Sequence, residues 1–563
     1  MNPSIDLVSS VAEYPALFDV VAGEAFFSSL SRREVRLLVG ALNFHALMAP
    51  GRELEVHAYE GDVELTPRTT DDRTFDGASR VFRRRLATVR IRSRVAPEPR
   101  LGSSNDSLLE SGSRHVIISR DSVLDMPPRR WVPNDPVRAA LRWFRNRHPL
   151  TYDQGRDLEL LRHRSALTSE VKRWNYEAEF RPGGAHPRDR VIVAPDAPSG
   201  APPAVLIGVH WFELGGAERW AFETVRLVRA RGLLPIVVSN VDSHHPFLTR
   251  PELDGALVIA LSEPTSRSQT PGTEQFLRAL LRSFDIRGVV VHHNEWLYHR
   301  LAWLRRSRPG LPIVDTTHII EYRGGGFPAV SARADSAIDV HHVISPTLAR
   351  WFVDVQGVSP DKIVMAPLAG LTVDVSGASF QPRSQASPFT VSFIGRMSRQ
   401  KSPEIFVSLA ARLRAGGHDV RFIMHGDGEL DEWVDAMIED GALSGVIDRR
   451  RSDMSVFETL KETDLLVVTS HNEGLTLTTL EAIAHGVPVI STDVGAQSDL
   501  IPRGGLFTRA PHAAVRQSER LIVELMTHEH RRRQLWEAER AREGEFLSMV
   551  SASEWFREMI SKW

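Results

Sequence analysis

The chain has 563 residues, a net charge of −2 and no cysteine. That length exceeds what one core supports, so roughly two to four domains are expected. The near-neutral balance argues against a protein held to nucleic acid by phosphate contacts, and the missing cysteine excludes disulfides, zinc thiolate sites and cysteine nucleophiles.

The opening residues, MNPSIDLVSSVAEYPALF, carry no basic start followed by an apolar core, and no uninterrupted apolar run is long enough to span a bilayer. A cytoplasmic location is expected, with peripheral contact at the inner face of the membrane left open. Residues 1–200 form an accessory α+β region of unassigned role. Within it, Ser31–Met48 reads as an amphipathic helix with Ser31 as N-cap and Glu34 at the capping-box position. Glu53–Glu64 and Ala87–Val95 alternate like strands, and Asp135–Arg147 and Arg156–Ala178 read as helices. Arg80–Arg94 is basic; it fits a solvated face and equally a patch for an anionic acceptor or lipid headgroups. Arg181–Pro203 is rich in Pro, Gly and Asp and reads as a linker.

From Ala204 the pattern changes to strands alternating with helices, which implies a parallel, doubly wound sheet. The strands are Val205–Val209, Leu234–Ser239, Leu257–Leu261, Gly288–His292, Ile313–Thr317 and Val340–Ser345. Helices are expected at Ala217–Arg231, Thr273–Phe284, Trp296–Ser307 and Pro346–Gln356. This first unit covers residues 201–372, and Gly370–Pro388 is the linker to the next. The second unit, 388–545, begins with strand Phe389–Ile394, helix Pro403–Ala415, strand Val420–His425 and helix Leu430–Asp440. Strand Asp464–Ser470, helix Leu477–His485 and strand Val487–Ser491 then make one βαβ unit. Two further helices and a closing segment, 546–563, complete the chain.

The chemistry gathers at predicted strand ends, where ligands bind on such sheets. Gly215 and Gly216 in GVHWFELGGAE allow a sharp turn and close approach of a ligand to a helix start. His318, in DTTHIIEY, ends a strand of the first unit and can hydrogen-bond a hydroxyl or phosphate. Arg396 and Lys401 in GRMSRQK would neutralise a diphosphate and the charge growing on a leaving group. Gly426 and Asp427 in HGDGE can lie under a base or ribose, and equally form a plain turn. In HNEGLTLTTLEAIAHG, Glu473 and Glu481 stand eight residues apart, and the amides of Gly474, Leu475 and Thr476 open a helix. A helix start with free N–H groups between two carboxylates suits a ligand bearing both phosphates and hydroxyls, such as a sugar nucleotide. The histidine pairs 244–245, 292–293 and 341–342 do not suggest a metal site, because neighbours on a strand point to opposite faces.

These motifs resemble those of the retaining glycosyltransferases of family four, which have the GT-B fold of two Rossmann-like domains facing across a cleft. The resemblance is carried by GGAE (215–218), the His318 segment, HHVISPTLARWF (341–352), KIVMAPLAG (362–370), GRMSRQK (395–401), HGDGEL (425–430) and EGLTLTTLEAIAHGVPVISTDVG (473–495). It covers the chain from about residue 204 onward. It implies that Gly216 meets the donor diphosphate through its amide and that Arg396 and Lys401 bind it by charge. Glu473 would hold the transferred sugar, Glu481 the ribose, and His318 would sit beside the reacting face. It also implies transfer from a nucleotide-sugar to a glycan, lipid-linked sugar or protein acceptor, with no metal and no cofactor, and a last helix that returns to the first unit. Two departures stand out: threonines fill the interval between Glu473 and Glu481, and Ser402–Pro403 follows the lysine where the family commonly has Gly. Two alternatives stay open: a sugar-nucleotide epimerase of the same architecture, and a non-catalytic carbohydrate-binding protein on a decayed fold.

Overall fold

A computed structural model describes residues 11–23, 29–61, 82–97, 112–121, 136–174, 196–213, 215–241, 243–261, 273–368, 378–383 and 387–563. The expected linkers fall largely outside these residues, as does the start of the basic run at Arg80. Among the described residues no helix is long and apolar enough to cross a membrane.

The N-terminal region is a four-stranded sheet under one helix. Its elements are β1 (Phe18–Gly23), α1 (Arg32–Met48), β2 (Glu53–Gly61), β3 (Phe82–Ser93) and β4 (Ser113–Ile118), in sheet order β1-β3-β2-β4. Alternation decides the inner face: Leu54, Val56 and Ala58 of β2 and Val89 and Ile91 of β3 are buried against Val35, Leu38, Val39 and Leu42 of α1. Ser31 caps α1 through the full capping box with Glu34. Phe44, Leu47 and Met48 of the same helix join the core of the next domain. Two arginines of the basic stripe are matched across strands, Arg92 by Glu53 and Arg94 by Asp19. Their solvated-face reading is therefore the better one.

Two helices follow, α2 (Pro136–Arg147) and α3 (Pro149–Arg162). The helix expected over Arg156–Ala178 instead begins at Pro149, which occupies the first helical turn, and stops at His163; a short turn, Ser165–Thr168, comes next. Proline is favoured at that first position because its missing N–H has no partner there in any case.

The first large sheet is wholly parallel, in order β11-β10-β9-β8-β5-β6-β7. Its strands are β5 (Pro203–Val209), β6 (Leu234–Ser239), β7 (Leu257–Ala260), β8 (Asp285–His292), β9 (Ile313–Thr317), β10 (Val340–Val343) and β11 (Ile363–Met365). The covering helices used below are α4 (Gly216–Ala230), α5 (Thr273–Ser283) and α6 (Gly326–Ala334). The helix expected at Trp296–Ser307 is two pieces, Glu295–Tyr298 and Leu301–Ser307, and that expected at Pro346–Gln356 ends in a π-type turn from Trp351. From β5 the chain winds outward through β6 and β7, then returns to β8 and winds the other way. The crevice between the carboxyl ends of β5 and β8 is therefore the switch point of this sheet.

The second sheet, order β14-β13-β12-β15-β16-β17, is built the same way. It comprises β12 (Phe389–Ile394), β13 (Val420–His425), β14 (Ile447–Arg450), β15 (Leu465–Val468), β16 (Val489–Thr492) and β17 (Leu506–Phe507). Its helices include α7 (Pro403–Ala415), α8 (Asp431–Asp440), α9 (Leu477–Ala484), α10 (Pro511–Thr527) and α11 (Glu529–Leu547). Here the switch point lies between β12 and β15. The last helix, α12 (Ala552–Ile560), lies against the first domain: Trp555 stacks on His342 at 4.8 Å and Phe556 meets Trp220 edge-on at 5.9 Å.

One segment joins both domains from outside. Helix α3 is fixed to the second domain by Asp153 on His471 and Asp157 on Arg509. The residues just after it are fixed to the first: the Gly324 amide donates to the His163 carbonyl at 2.9 Å, and Gln356 Nε2 donates to Ala166 and Ser169 at 3.0 and 3.1 Å. Ala166 itself is buried with Trp351 and Phe352.

Candidate active site

The switch point of the second sheet is occupied by two loops, Gly395–Lys401 after β12 and Thr469–Thr476 after β15. Hydrogen bonds fasten them together: the His471 amide to Gln400 O at 2.8 Å, Gln400 Nε2 to Asn472 O at 3.1 Å and Thr469 Oγ1 to Lys401 O at 2.8 Å. Between them Lys401 Nζ reaches Glu473 Oε1 at 2.5 Å, and Ser470 Oγ donates to the same oxygen at 2.6 Å. Glu473 is nearly closed off, with 5% of its side chain exposed, while Lys401 keeps 23%. The lysine is thus the half of the pair that a ligand can reach.

Thr476 is the N-cap of α9 by backbone position, yet its side chain makes no cap bond. Its Oγ1 instead meets Thr479 Oγ1 at 2.5 Å and accepts from Gln497 Nε2 at 3.0 Å. Two of the three threonines that depart from the family's apolar interval, Thr476 and Thr479, therefore satisfy one another inside the second domain. The first amides of α9 stay without an intrahelical partner, as at any helix start. Leu475 is buried and supports this turn from below.

Across the cleft, His318 follows the last residue of β9 and lies against Gly474. A Cβ on Gly474 would stand 1.8 Å from the His318 carbonyl oxygen, so only glycine allows the two domains this contact. Gly216, the first residue of α4 with Gly215 as N-cap, faces the same helix: a Cβ there would be 3.5 Å from Leu477. Glu481, one turn into α9, meets Arg219 of α4 at 3.3 Å. Burial raises its pKa against the pull of Arg219. Arg396 is exposed at the mouth, and its charge opposes the burial that raises Glu218, the last residue of GGAE. Glu218 accepts from Trp211 Nε1 at 3.1 Å.

The HGDGE turn divides. Gly426, at φ +128°, lies on Gly395, where a Cβ would stand 2.2 Å from the carbonyl oxygen; it positions the Arg396 loop. Asp427 turns away to Ser452 and Arg451, whose bonds hold its pKa below the usual range although burial alone would raise it. These bonds tie it to its own domain, with 34% of its side chain still exposed.

Two arrangements at this site escaped the sequence reading. His293, seen in the sequence only as half of a pair, follows β8 and meets His318 at 5.1 Å, and His210 follows the neighbouring β5. Arg509 lies over the Tyr322 ring at 3.6 Å and donates to His471 O at 3.0 Å, so it braces the Glu473 loop against the first domain. Among the described residues one His/Asp/Glu group has metal-compatible spacing, Asp153, Glu404 and His471, with candidate ligand atoms within 4.8 Å. Burial and then the neighbouring Asp153 push Glu404 well above the carboxylate range. His471, Arg399 and Arg156 all favour the charged form of Asp153. Asp153 therefore has its counter-charges already, and the arginines repel a cation.

Comparison with known proteins agrees with this fold. Residues 214–369 match the family described as Glycosyltransferase Family 4, and residues 388–526 the family described as Glycosyl transferases group 1. Together they cover just over half of the chain. The D-inositol 3-phosphate glycosyltransferase of Nocardia farcinica is 29% identical over 273 residues, 43% of this chain and 60% of that protein. The protein of the same name from Paenarthrobacter aurescens is 31% identical over 256 residues, 41% and 62% respectively. The chain thus spans about 60% of the length of these curated relatives. HepE of Anabaena, solved with UDP-glucose, superposes with a TM-score of 0.50 at 16% identity, covering 64% of this chain and all of HepE. At that identity the likeness speaks for the fold alone. The fold is GT-B: two doubly wound domains facing across a cleft, preceded by a region with a mixed sheet. The chain belongs to the family-four type of glycosyltransferases.

Proposed function

We propose that the chain transfers a sugar, with retention at the anomeric carbon, from a nucleoside-diphosphate sugar held at the switch point of the second sheet. The observation that carries this reading is the meeting of the Lys401–Glu473 pair, the open start of α9 and the His318 turn at one point of the cleft. Lys401 and Arg396 would neutralise the diphosphate, and the amides of Gly216, Gly474, Leu475 and Thr476 would cradle it. Gly215 would set the turn that brings Gly216 there, and Gly426 the loop that carries Arg396. Glu473 would accept from hydroxyls of the transferred sugar once the ligand competes for Lys401, and Glu481 from the ribose once Arg219 lets go. In the reaction the bond from the anomeric carbon to the β-phosphate oxygen breaks, and the acceptor hydroxyl oxygen bonds that carbon on the same face. The acceptor proton passes to the departing phosphate, and the nucleoside diphosphate leaves. Two cations and two helix starts supply the charge stabilisation that a divalent ion would otherwise give.

HepE was solved with UDP-glucose, so UDP sugars are the first donors to test. Thermal shift and hydrolysis against UDP-, GDP-, ADP- and TDP-sugars, with Glu481→Ala in parallel and with EDTA, tests the reading. One nucleotide should stabilise the wild type and not the mutant, with slow, EDTA-resistant sugar release. No shift with any of the four would refute it, and epimerised rather than released sugar would move the assignment to an epimerase.

A further inference from the structure

Three adjacent strands of the first sheet, β9, β8 and β5, each end on the cleft side with a histidine as the very next residue: His318, His293 and His210. The last two flank the switch point of that sheet, where doubly wound sheets bind their ligands. The rings form one row. His293 stacks on Phe327 at 4.7 Å with planes 3° apart and meets His318 at 5.1 Å, and His210 lies edge-on to Phe327 at 5.3 Å and to Trp211 at 4.7 Å.

Each of the three has a ring nitrogen that is buried and has no hydrogen-bond partner: Nδ1 of His210, Nε2 of His293 and Nδ1 of His318. His293 and His318 are each 7% exposed. A buried polar atom without a partner is costly, and three in a row at a switch point mark a place that something else completes. The backbone adds to this: His293 sits at φ +53°, the left-handed region that favours glycine.

The surroundings set the chemistry. Burial lowers His210 to about 4 and His293 to about 3, and drives His318 well below its ordinary value. Among the described residues no lysine or arginine is named as shifting these three rings. A phosphate is best met by cationic donors, whose charge-assisted hydrogen bonds are about twice as strong as neutral ones. A neutral imidazole both donates and accepts, which is the pattern of an uncharged hydroxyl. The row also borders the donor position, because His318 touches Gly474 and Trp211 holds Glu218 beside Arg396.

We propose that His210 and His293, with Phe327 behind them, form the acceptor subsite, and that it takes an uncharged polyhydroxylated acceptor, a sugar or cyclitol ring without phosphate. This rests on the glycosyltransferase reading. It sets the chain apart from the curated relatives, whose name specifies a phosphorylated inositol.

The test uses the full chain on an array of neutral and phosphorylated mono- and oligosaccharides in the presence of UDP, with UDP binding titrated separately. Neutral members should bind at least tenfold better than their phosphorylated counterparts. His210→Ala and His293→Gln should each weaken that binding tenfold or more while the Kd for UDP stays within twofold. His210 is half-buried, so its variant still reports if His293→Gln fails to fold. Preference for phosphorylated members, or no bound saccharide from a chain that binds UDP, overturns the acceptor proposal and leaves the donor reading standing. A chain that binds no nucleoside diphosphate overturns both.

Discussion

Replacing Gly474 by alanine probes the point where the two domains touch. The added methyl would stand 1.8 Å from the His318 carbonyl oxygen and 2.9 Å from its carbon. Both neighbours are backbone, so no rotamer change relieves the overlap. Real Cβ atoms essentially never come within 3.0 Å, so the His318 turn and the start of α9 must part by more than an ångström. The domain cores take no part in this. Gly474 does not sit at positive φ, so alanine adds no backbone strain of its own. Stability should fall by about 1–3 kcal/mol, the usual cost of forcing an extra carbon into a packed contact. Turnover should fall as well, because misplacing reacting groups by about 1 Å costs on the order of a hundredfold. The assay is kcat/KM for sugar release or transfer with a saturating acceptor, beside a thermal melt of the same preparation. A variant that melts like the wild type and turns over within threefold of it would refute the idea that closure at His318 assembles the site.

Further outcomes can be checked alongside. Arg396→Ala and Lys401→Ala should each lower kcat by about a hundredfold or more, as loss of charge-stabilising donors does; near-normal rates in both would sink the diphosphate assignment. Glu481→Ala should raise the Kd for the nucleotide at least tenfold in a calorimetric titration. Stability should fall as pH drops from about 6.5 towards 4. His45, His245 and His293 are buried with pKa values near 3, and His342 near 4, so the unfolded chain binds protons that the fold refuses. Each such histidine withdraws up to about 1.4 kcal/mol per pH unit over that window; His341, whose two aspartates outweigh burial, and the buried carboxyls of Glu404, Glu539 and Glu481, whose pKa values burial raises, offset part of this loss. A melting temperature flat from pH 7 to 5 would contradict this. The double variant Asp153→Ala, Asp157→Ala should enlarge the radius of gyration of the ligand-free chain in small-angle scattering; an unchanged radius would mean that α3 does not hold the domains.

Much of the fold, and the loops that form the candidate site, were legible in sequence because their signals are local. The Ser31–Glu34 capping box, the apolar runs of β5, β6, β9 and β12, and the glycines and carboxylates after β15 each lie within a dozen residues. What was missed depends on distant partners. Strands β1 and β4 are short and only half apolar, and they become strands by pairing with β3 and β2. The partners of Asp427, Arg451 and Ser452, stand 24 and 25 positions away. The histidine row exists only because β9, β8 and β5 lie side by side, which their order in the chain does not announce. Asp153 and His471 are 318 positions apart, and neither is remarkable alone.

The bridge made by α3 has a mechanical consequence. Asp157 is tied to one domain and the His163 carbonyl to the other, with only six positions between them along the chain. Even drawn straight, such a length spans only about 20 Å, and in a helix that unravels only at its last turn the slack is far less. Separation of the two lobes therefore stops early or tears an anchor loose. Ligand exchange in this chain would work against a short leash, and the force that opens the cleft is felt first at Arg509, which donates to the carbonyl of His471, two residues before the carboxylate proposed to hold the sugar.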